Sequence, residues 1–485
     1  MTADILRRAH HLLASGQAEP ALALLGPVLE QAASVGPGHS LALEAWLSLG
    51  RRKEAIELLD VACALDAPSP DALDALAFYA RRLGRHEQSN MLYRRAAKAA
   101  GDDAQLWYNL ATSERSLGRL AAAAQACDRA LALEPQRFGA TLLRSELLRA
   151  TPEANNVAQL QAALTGKVDS AGRMFLAYAL GKELHDLGRY DEAFDAFALG
   201  ARTRRQSLRY DVANDERKLA RIQAAYAGQA PASRPPTSPA KHIFIVGLPR
   251  SGTTLTERIL GGLPGACSHG ETDNFATALL RAAPVEGGDV FERCARADAA
   301  QVGRLYDLLA APEDGAATSL EKLPMNYLYL GAIARALPEA RIIWLRRNPM
   351  DACFAMFRTL FGEAYPFSYD FEDLARYYAA YARLMDHWSA ALGERLLAVD
   401  YEALVDSPAT VAPDLARHCG LPWTDSALDI TNNRSASLTA SAAQVREPIH
   451  RRSAGLWRQY EPQLRPLAEH LGRVGINFQR DGAGR

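Results

Sequence analysis

Along the first half of the chain, small and apolar positions return at a fixed interval. Glycines stand at Gly16, Gly50, Gly84 and Gly118, 34 residues apart, and again at Gly188, 70 residues or two intervals later. A leucine precedes four of them (Leu49, Leu83, Leu117, Leu187) and an arginine follows the same four (Arg51, Arg85, Arg119, Arg189). Five positions after each glycine comes a small residue: Ala21, Ala55, Ser89, Ala123 and Ala193. Twelve positions after come Ala62, Ala96, Ala130 and Gly200, with Val28 as the exception. A glycine that takes the left-handed conformation ends one helix and starts a tight turn, and small residues let the next helix pack closely against it. The pattern therefore predicts a series of helical hairpins, with Pro135 stopping the second helix of the unit begun at Gly118. The stretch TPEANNVAQLQ around Pro152 lacks the glycine, which predicts one reshaped unit. A charged helix from 209 to 226 is expected to end the array.

The pattern then changes. Four prolines between Gly228 and His242 neither continue a helix nor fill a core, so 228–240 reads as a linker. Beyond it the apolar run Ile243–Val246 suits a buried parallel strand, followed by a turn at Gly247–Thr254 and a helix through Leu255–Leu260. Arg341–Leu345 and Leu396–Asp400 read as further strands. Tyr377, Tyr378, Tyr381, His387 and Trp388 fall on one long helix, as core packing or as the wall of a cleft.

The period and residue types of the first half resemble the tetratricopeptide repeat, which implies a solenoid whose concave face binds peptide segments or proteins. The expected organisation is a multidomain chain: an all-α repeat domain over 1–227, the linker over 228–240, and an α/β P-loop-like domain with a parallel sheet over 241–485.

Composition narrows the partners. The 55 basic and 56 acidic side chains leave a net charge of −1, without the excess that a nucleic-acid coat or a polybasic membrane anchor needs. The six cysteines show no metal-ligand spacing and read as reduced thiols. The opening residues lack the apolar core of a secretion signal and no later run is long enough to span a membrane, so a cytoplasmic protein is expected.

The candidate chemistry begins at the first strand. Strand, glycine-bounded loop and helix N-terminus together form an anion cradle. Gly247 to Gly252 has P-loop spacing, but Thr253 stands where that motif has lysine, and the basic residue is Arg250 inside the loop. The strand Arg341–Leu345 ends in Arg346-Arg347 rather than in a metal-binding aspartate. Both features argue against an ordinary magnesium-dependent NTPase and for a site without metal.

The loop Gly247-Leu248-Pro249-Arg250-Ser251-Gly252-Thr253-Thr254 resembles the 5′-phosphosulfate loop of sulfotransferases that use 3′-phosphoadenosine 5′-phosphosulfate. Arg347-Asn348-Pro349-Met350-Asp351 is similar to their 3′-phosphate motif, although Ala355 replaces the serine usual eight residues after the arginine. Arg451-Arg452-Ser453-Ala454-Gly455-Leu456-Trp457 is similar to the basic segment that closes over the nucleotide, with Arg452 in place of a glycine. Ser441 begins a stretch that resembles one in tyrosylprotein sulfotransferases. Together with the repeats, the set is similar to bacterial proteins that join tetratricopeptide repeats to a sulfotransferase domain.

The resemblance implies a sulfuryl donor held by Pro249, Arg250, Ser251, Gly252, Thr253, Thr254, Arg347, Ser441, Arg451 and Arg452. It implies Arg250 and Lys322 as charge stabilisers and Glu271 as base, with His269 as the alternative base because histidine titrates near neutrality. The acceptor, a hydroxyl or amine on a peptide, protein, glycan or small molecule, is left open. The competing readings are a repeat scaffold with an inactive nucleotide-binding domain and an atypical P-loop kinase or NTPase.

Overall fold

The five in-phase glycines all take positive φ, from +71° to +75°. Each closes its helix with the paired bonds of a Schellman turn. At Gly84 its own N–H donates to Arg81 O at 3.0 Å and the N–H of Arg85 donates to Ala80 O at 2.8 Å. The same pair recurs at Gly16, Gly50, Gly118 and Gly188. The small residues that follow them are buried; Ala21, Ala55, Ala123 and Ala193 are fully so. At Gly200 the reason is direct, since a Cβ there would lie 2.7 Å from the Tyr178 ring.

The computed structural model describes residues 2–479 apart from 33, 67–68, 229–239, 312–314, 434, 440–441 and 443–445. The expected linker therefore lies, except for 228 and 240, outside the described residues. Two compact units divide the chain, one up to Leu147 and one from Leu148. The first is built of helical hairpins such as Pro70–Arg82 with His86–Ala100 and Ala104–Ser116 with Leu120–Leu133. A continuous apolar core runs through it from Val35 to Leu147.

The second unit holds a five-stranded parallel sheet: β1 (His242–Gly247), β2 (Ala266–Gly270), β3 (Thr318–Lys322), β4 (Arg341–Arg346) and β5 (Leu396–Asp400). Their order is β2-β3-β1-β4-β5, and β1, fully buried along its length, pairs in parallel with both β3 and β4. The chain builds outward from β1 first to one side and then to the other. Such a reversal opens a crevice at the carboxyl ends of the strands, where ligands bind in open α/β sheets.

Helices of the expected repeat domain pack into this second unit. Helix Ser170–Asp186 brings Tyr178, whose hydroxyl donates to Phe357 O at 3.0 Å. Arg205, on helix Tyr190–Gln206, pairs with Asp373 at 2.8 Å. The charged helix, observed over Val212–Ala225, lies along the long helix Phe371–Leu392, with Glu216 paired to Arg376 at 2.6 Å. Around Pro152 the reshaped unit is held otherwise: Glu183 accepts the N–H of Asn156 at 2.5 Å and its side-chain amide at 3.0 Å. Among the described residues no helix is long and apolar enough to cross a membrane.

Candidate active site

The loop after β1 owes its shape to three backbone conformations. Gly247 has φ +152°, and a Cβ there would sit 2.7 Å from Leu345 O on neighbouring β4. Arg250 takes φ +66°, a left-handed conformation that is uncommon outside glycine. Gly252 has φ +97°, and a Cβ on it would lie 2.4 Å from the Tyr401 ring. Only glycine fits beneath that ring. The buried Ser251 hydroxyl donates to Leu248 O at 2.7 Å, so it braces the loop from within. Thr253 and Thr254 then open helix Thr253–Leu260 and border the same space as the loop, at the end of the helix where N–H groups lack partners within it.

That space is a cavity of about 310 Å³ lined by Pro249, Arg250, Gly252, Thr253 and Thr254, together with Glu271, Arg347 and Tyr401. Arg347, 9% exposed, donates from Nη1 to Arg250 O at 2.6 Å and from Nη2 to Ser453 O. Its guanidinium lies 4.8 Å from the centre of the Tyr401 ring. Its Nε is buried with no hydrogen-bond partner among the described residues. The residues after it anchor the C-terminal segment. Asn348 Oδ1 caps helix Pro349–Phe357 by accepting from Met350 N at 3.0 Å. Asp351, in that helix's first turn, accepts the N–H groups of Gly455 at 2.6 Å and Trp457 at 3.0 Å.

The same cavity wall holds Ala355 and, one helical turn on, Arg358. Arg358 went unnoticed in the sequence because it stands outside the motif; its signal is the i, i+3 spacing from Ala355. Burial lowers its pKa from the usual 12.5; Tyr460 opposes that shift and the positive charge of Arg347 adds to it. A buried and a half-buried guanidinium group lining one cavity make an anion-seeking surface.

At the ends of β2 and β3 lies the second half of the site. Lys322 is fully buried, with Nζ 2.5 Å from Glu271 Oε1 and 3.5 Å from Glu257 Oε2. Glu257, on the first helix after the loop, also accepts from Ser268 Oγ at 2.7 Å. A buried ammonium persists only when paired, and here two carboxylates share it. Glu257 had no sequence signal, since a glutamate inside a helix usually faces solvent. Next along β3, Glu321 is also fully buried and accepts from Asn326 Nδ2 at 2.7 Å. Burial pushes its pKa from 4.5 up to about 7.

The expected site residues thus fall into three groups. Pro249, Arg250, Gly252, Thr253, Thr254, Glu271 and Arg347 line one cavity, and Lys322 meets it through Glu271. Ser251, whose hydroxyl is spent on Leu248 O, and His269, Arg451 and Arg452 are not among its lining residues. On β2, Ser268 reaches Glu257, whereas His269 acts electrostatically on His242, which is 2.8 Å from Asp307. Arg451 pairs with Asp406 and Arg452 with Glu447, both at the surface, while Glu447, His450 and Ser453 from the same segment reach the cavity. Ser441 lies outside the described residues.

The central strand of the parallel sheet runs into the glycine-bounded loop, and Arg347 follows the end of neighbouring β4. Residues 242–425 match the sulfotransferase family, and residues 104–137 match the tetratricopeptide repeat. The sulfotransferase match thus lies behind the repeat match along the chain. An uncharacterized protein of Aquifex aeolicus is 27% identical over 323 residues, which are 62% of this chain and 41% of that protein. The chain therefore spans well under half the length of this relative. Among solved structures, the sulfotransferase domain from the curacin biosynthetic pathway is 19% identical and covers 51% of this chain and 100% of its own, with a TM-score of 0.34. A sulfotransferase from Alicyclobacillus acidocaldarius is 18% identical, covers 50% of this chain and 97% of its own, and has a TM-score of 0.27. The residues that match the sulfotransferase family begin at β1 and include the loop, Glu271, Lys322, Arg347 and Tyr401.

Proposed function

We propose that the chain transfers a sulfuryl group from 3′-phosphoadenosine 5′-phosphosulfate to a hydroxyl or amine acceptor. The observation that carries this reading is the convergence of the Arg250 loop, Arg347 and the Lys322–Glu271 pair at the carboxyl ends of one sheet. The donor, when bound, supplies an SO₃ unit held through a bridging oxygen to phosphate. The residues fit such a molecule: one helix N-terminus and two arginines suit an anion with phosphate at both ends, and the Arg347 Nε still has a proton to give.

In this reading Glu271 takes the acceptor proton, and Lys322 gives positive charge to the leaving oxygen as its bond to sulfur breaks. Arg250 and the N–H groups of Gly252, Thr253 and Thr254 stabilise the charge that spreads over the transferring group. Arg358 adds positive charge to the wall where Ala355 offers no hydroxyl. The tetratricopeptide repeats serve as the protein-binding part of the chain.

The test is calorimetric titration with 3′-phosphoadenosine 5′-phosphate, with and without magnesium, with ATP and Arg347→Ala as controls. Micromolar, metal-independent binding that exceeds ATP binding and falls at least tenfold in the variant supports the reading. No binding, or a requirement for magnesium with a preference for ATP, would refute it.

A further inference from the structure

The end of β2 departs from the regular ladder. Ser268 pairs with Leu320 of β3, yet Gly270 pairs with Glu321, the next residue on that strand. His269 is therefore the extra residue of a bulge. Without the bulge, the ladder would set Gly270 opposite Lys322 and carry Glu271 past the end of β3. With it, Glu271 comes level with Lys322, and the two side chains meet at 2.5 Å. The pair at the centre of the transfer reading is thus brought together by one inserted residue.

Bulges are uncommon between parallel strands, and β2 is the edge of the sheet, paired on one side alone. Side chains hold this one. Gly270 takes φ +68°, the left-handed turn out of the bulge. Its N–H donates to Ser268 Oγ at 3.2 Å, across the extra residue. Ser268 Oγ in turn donates to Glu257 Oε1 at 2.7 Å. Glu257 is buried on helix Thr253–Leu260, and its other oxygen, Oε2, lies 3.5 Å from Lys322 Nζ. The contacts close a ring that runs from Glu257 to Ser268 and Gly270, along the chain to Glu271, across to Lys322 and back to Glu257.

A carboxylate suits this place because it offers two oxygens and only accepts. One takes the serine proton, which leaves the serine's lone pairs for the Gly270 N–H. The other balances an ammonium that is fully buried. Glutamine has one acceptor in place of two, so it serves one arm of the ring and not both. Helix Thr253–Leu260 starts at the Arg250 loop, so the ring also fixes the Glu271–Lys322 pair relative to that loop.

We propose that Glu257 is the positioning residue of the site: through Ser268 it holds the bulge that brings Glu271 level with Lys322, and through its second oxygen it holds Lys322 there. What the pair then does rests on the sulfuryl-transfer reading. Glu257 acts through its neighbours and touches neither donor nor acceptor. In this arrangement His269 has the task of a spacer.

The experiment follows formation of 3′-phosphoadenosine 5′-phosphate from 3′-phosphoadenosine 5′-phosphosulfate by chromatography. It uses the full chain, with 2-naphthol, a tyrosine-containing peptide and cellobiose offered together as acceptors. Calorimetry measures affinity for 3′-phosphoadenosine 5′-phosphate, and amide exchange over 266–273 reads the bulge without any donor. Ser268→Ala should lower kcat about tenfold or more and keep nucleotide affinity within about twofold, since small misplacements of reacting groups cost rate. Its amides over 266–273 should exchange about tenfold faster. Ser268→Thr restores the hydroxyl and should return kcat to within about threefold of the parent. Glu257→Gln should also lower kcat, and the double variant should fall no more than about threefold below the lower single, because both open one ring. Parental turnover in Ser268→Ala, parallel losses of turnover and nucleotide affinity in both single variants, or losses that multiply in the double variant each overturn the assignment. A parent chain that binds the nucleotide but forms none of it from the donor removes the transfer step. One that does not bind it removes the donor reading, and in either case this assignment falls too.

Discussion

Replacing Lys322 by methionine tests how the candidate site is held together. The ammonium is fully buried, 2.5 Å from one carboxylate and 3.5 Å from another. At the longer distance and an effective dielectric constant of about 20, a unit pair attracts by about 5 kcal/mol before desolvation is counted. Desolvation offsets most of that attraction, so the intact cluster contributes little net stability, whereas removing one member strands the others. Lys322→Met leaves Glu257 and Glu271 facing each other without their cation, and should cost about 3–5 kcal/mol. Glu257→Gln keeps the Lys322–Glu271 bond and an acceptor for Ser268, and should cost about 1–2 kcal/mol. Combining the two removes one stranded charge, so the double variant should be more stable than the sum of the single losses by more than about 1 kcal/mol. The assay is urea unfolding of the four proteins, followed by hydrogen exchange in peptides covering 253–271 and 318–326, which separates this region from the repeats. A cycle additive to within about 0.5 kcal/mol would mean that the three groups act independently, and the cluster argument would fail.

Two further outcomes follow from neighbouring residues. Glu321 holds a proton in the folded chain up to about pH 7, whereas in the unfolded chain it loses that proton near 4.5. Stability should therefore fall as pH rises between those values, by about 3 kcal/mol in total. Glu321→Gln should flatten that slope, and equal Tm changes for both proteins between pH 5 and pH 8 would contradict it. Asp351→Ala removes the carboxylate that accepts from Gly455 and Trp457, at about 1.5–3 kcal/mol per bond. Trypsin should then cleave after Arg451 or Arg452 about tenfold faster or more, since each 1.4 kcal/mol of local opening is a factor of about ten; an unchanged rate would show that the segment is held elsewhere.

What could be read in advance, and what could not, divides along physical lines. The hairpin turns were legible because a left-handed C-terminal turn excludes nearly every residue but glycine, and so leaves a periodic mark. β1 and its loop were legible because a buried run followed by spaced glycines has few other uses. β2 and β3 left no such mark. Ala266–Gly270 is a half-buried edge strand without an apolar run, and Thr318–Lys322 is fully buried yet mostly polar. The polarity that hid β3 is the polarity of the candidate site, with Glu321 turned to one partner and Lys322 to another. Arg451 and Arg452 matched a motif by position, but the acidic side chains that meet them, Asp406 and Glu447, lie 45 and five residues away in sequence. The packing of 148–227 with the sheet unit was invisible for the opposite reason. Gly188 keeps the repeat's phase, and nothing in a local pattern says which neighbour a helix will choose.

That choice of neighbour has a practical consequence for anyone who divides the chain. A fragment begun at His242, where the family match starts, would strip Tyr178 from Phe357, Arg205 from Asp373 and Tyr226 from Trp388. It would also leave Gly331, now pressed against the Tyr226 ring, facing water. The fragment that keeps these surfaces covered begins at Leu148. In the laboratory, the smallest piece worth expressing is therefore set by which helices cover the sheet unit, not by where the recognisable motif begins.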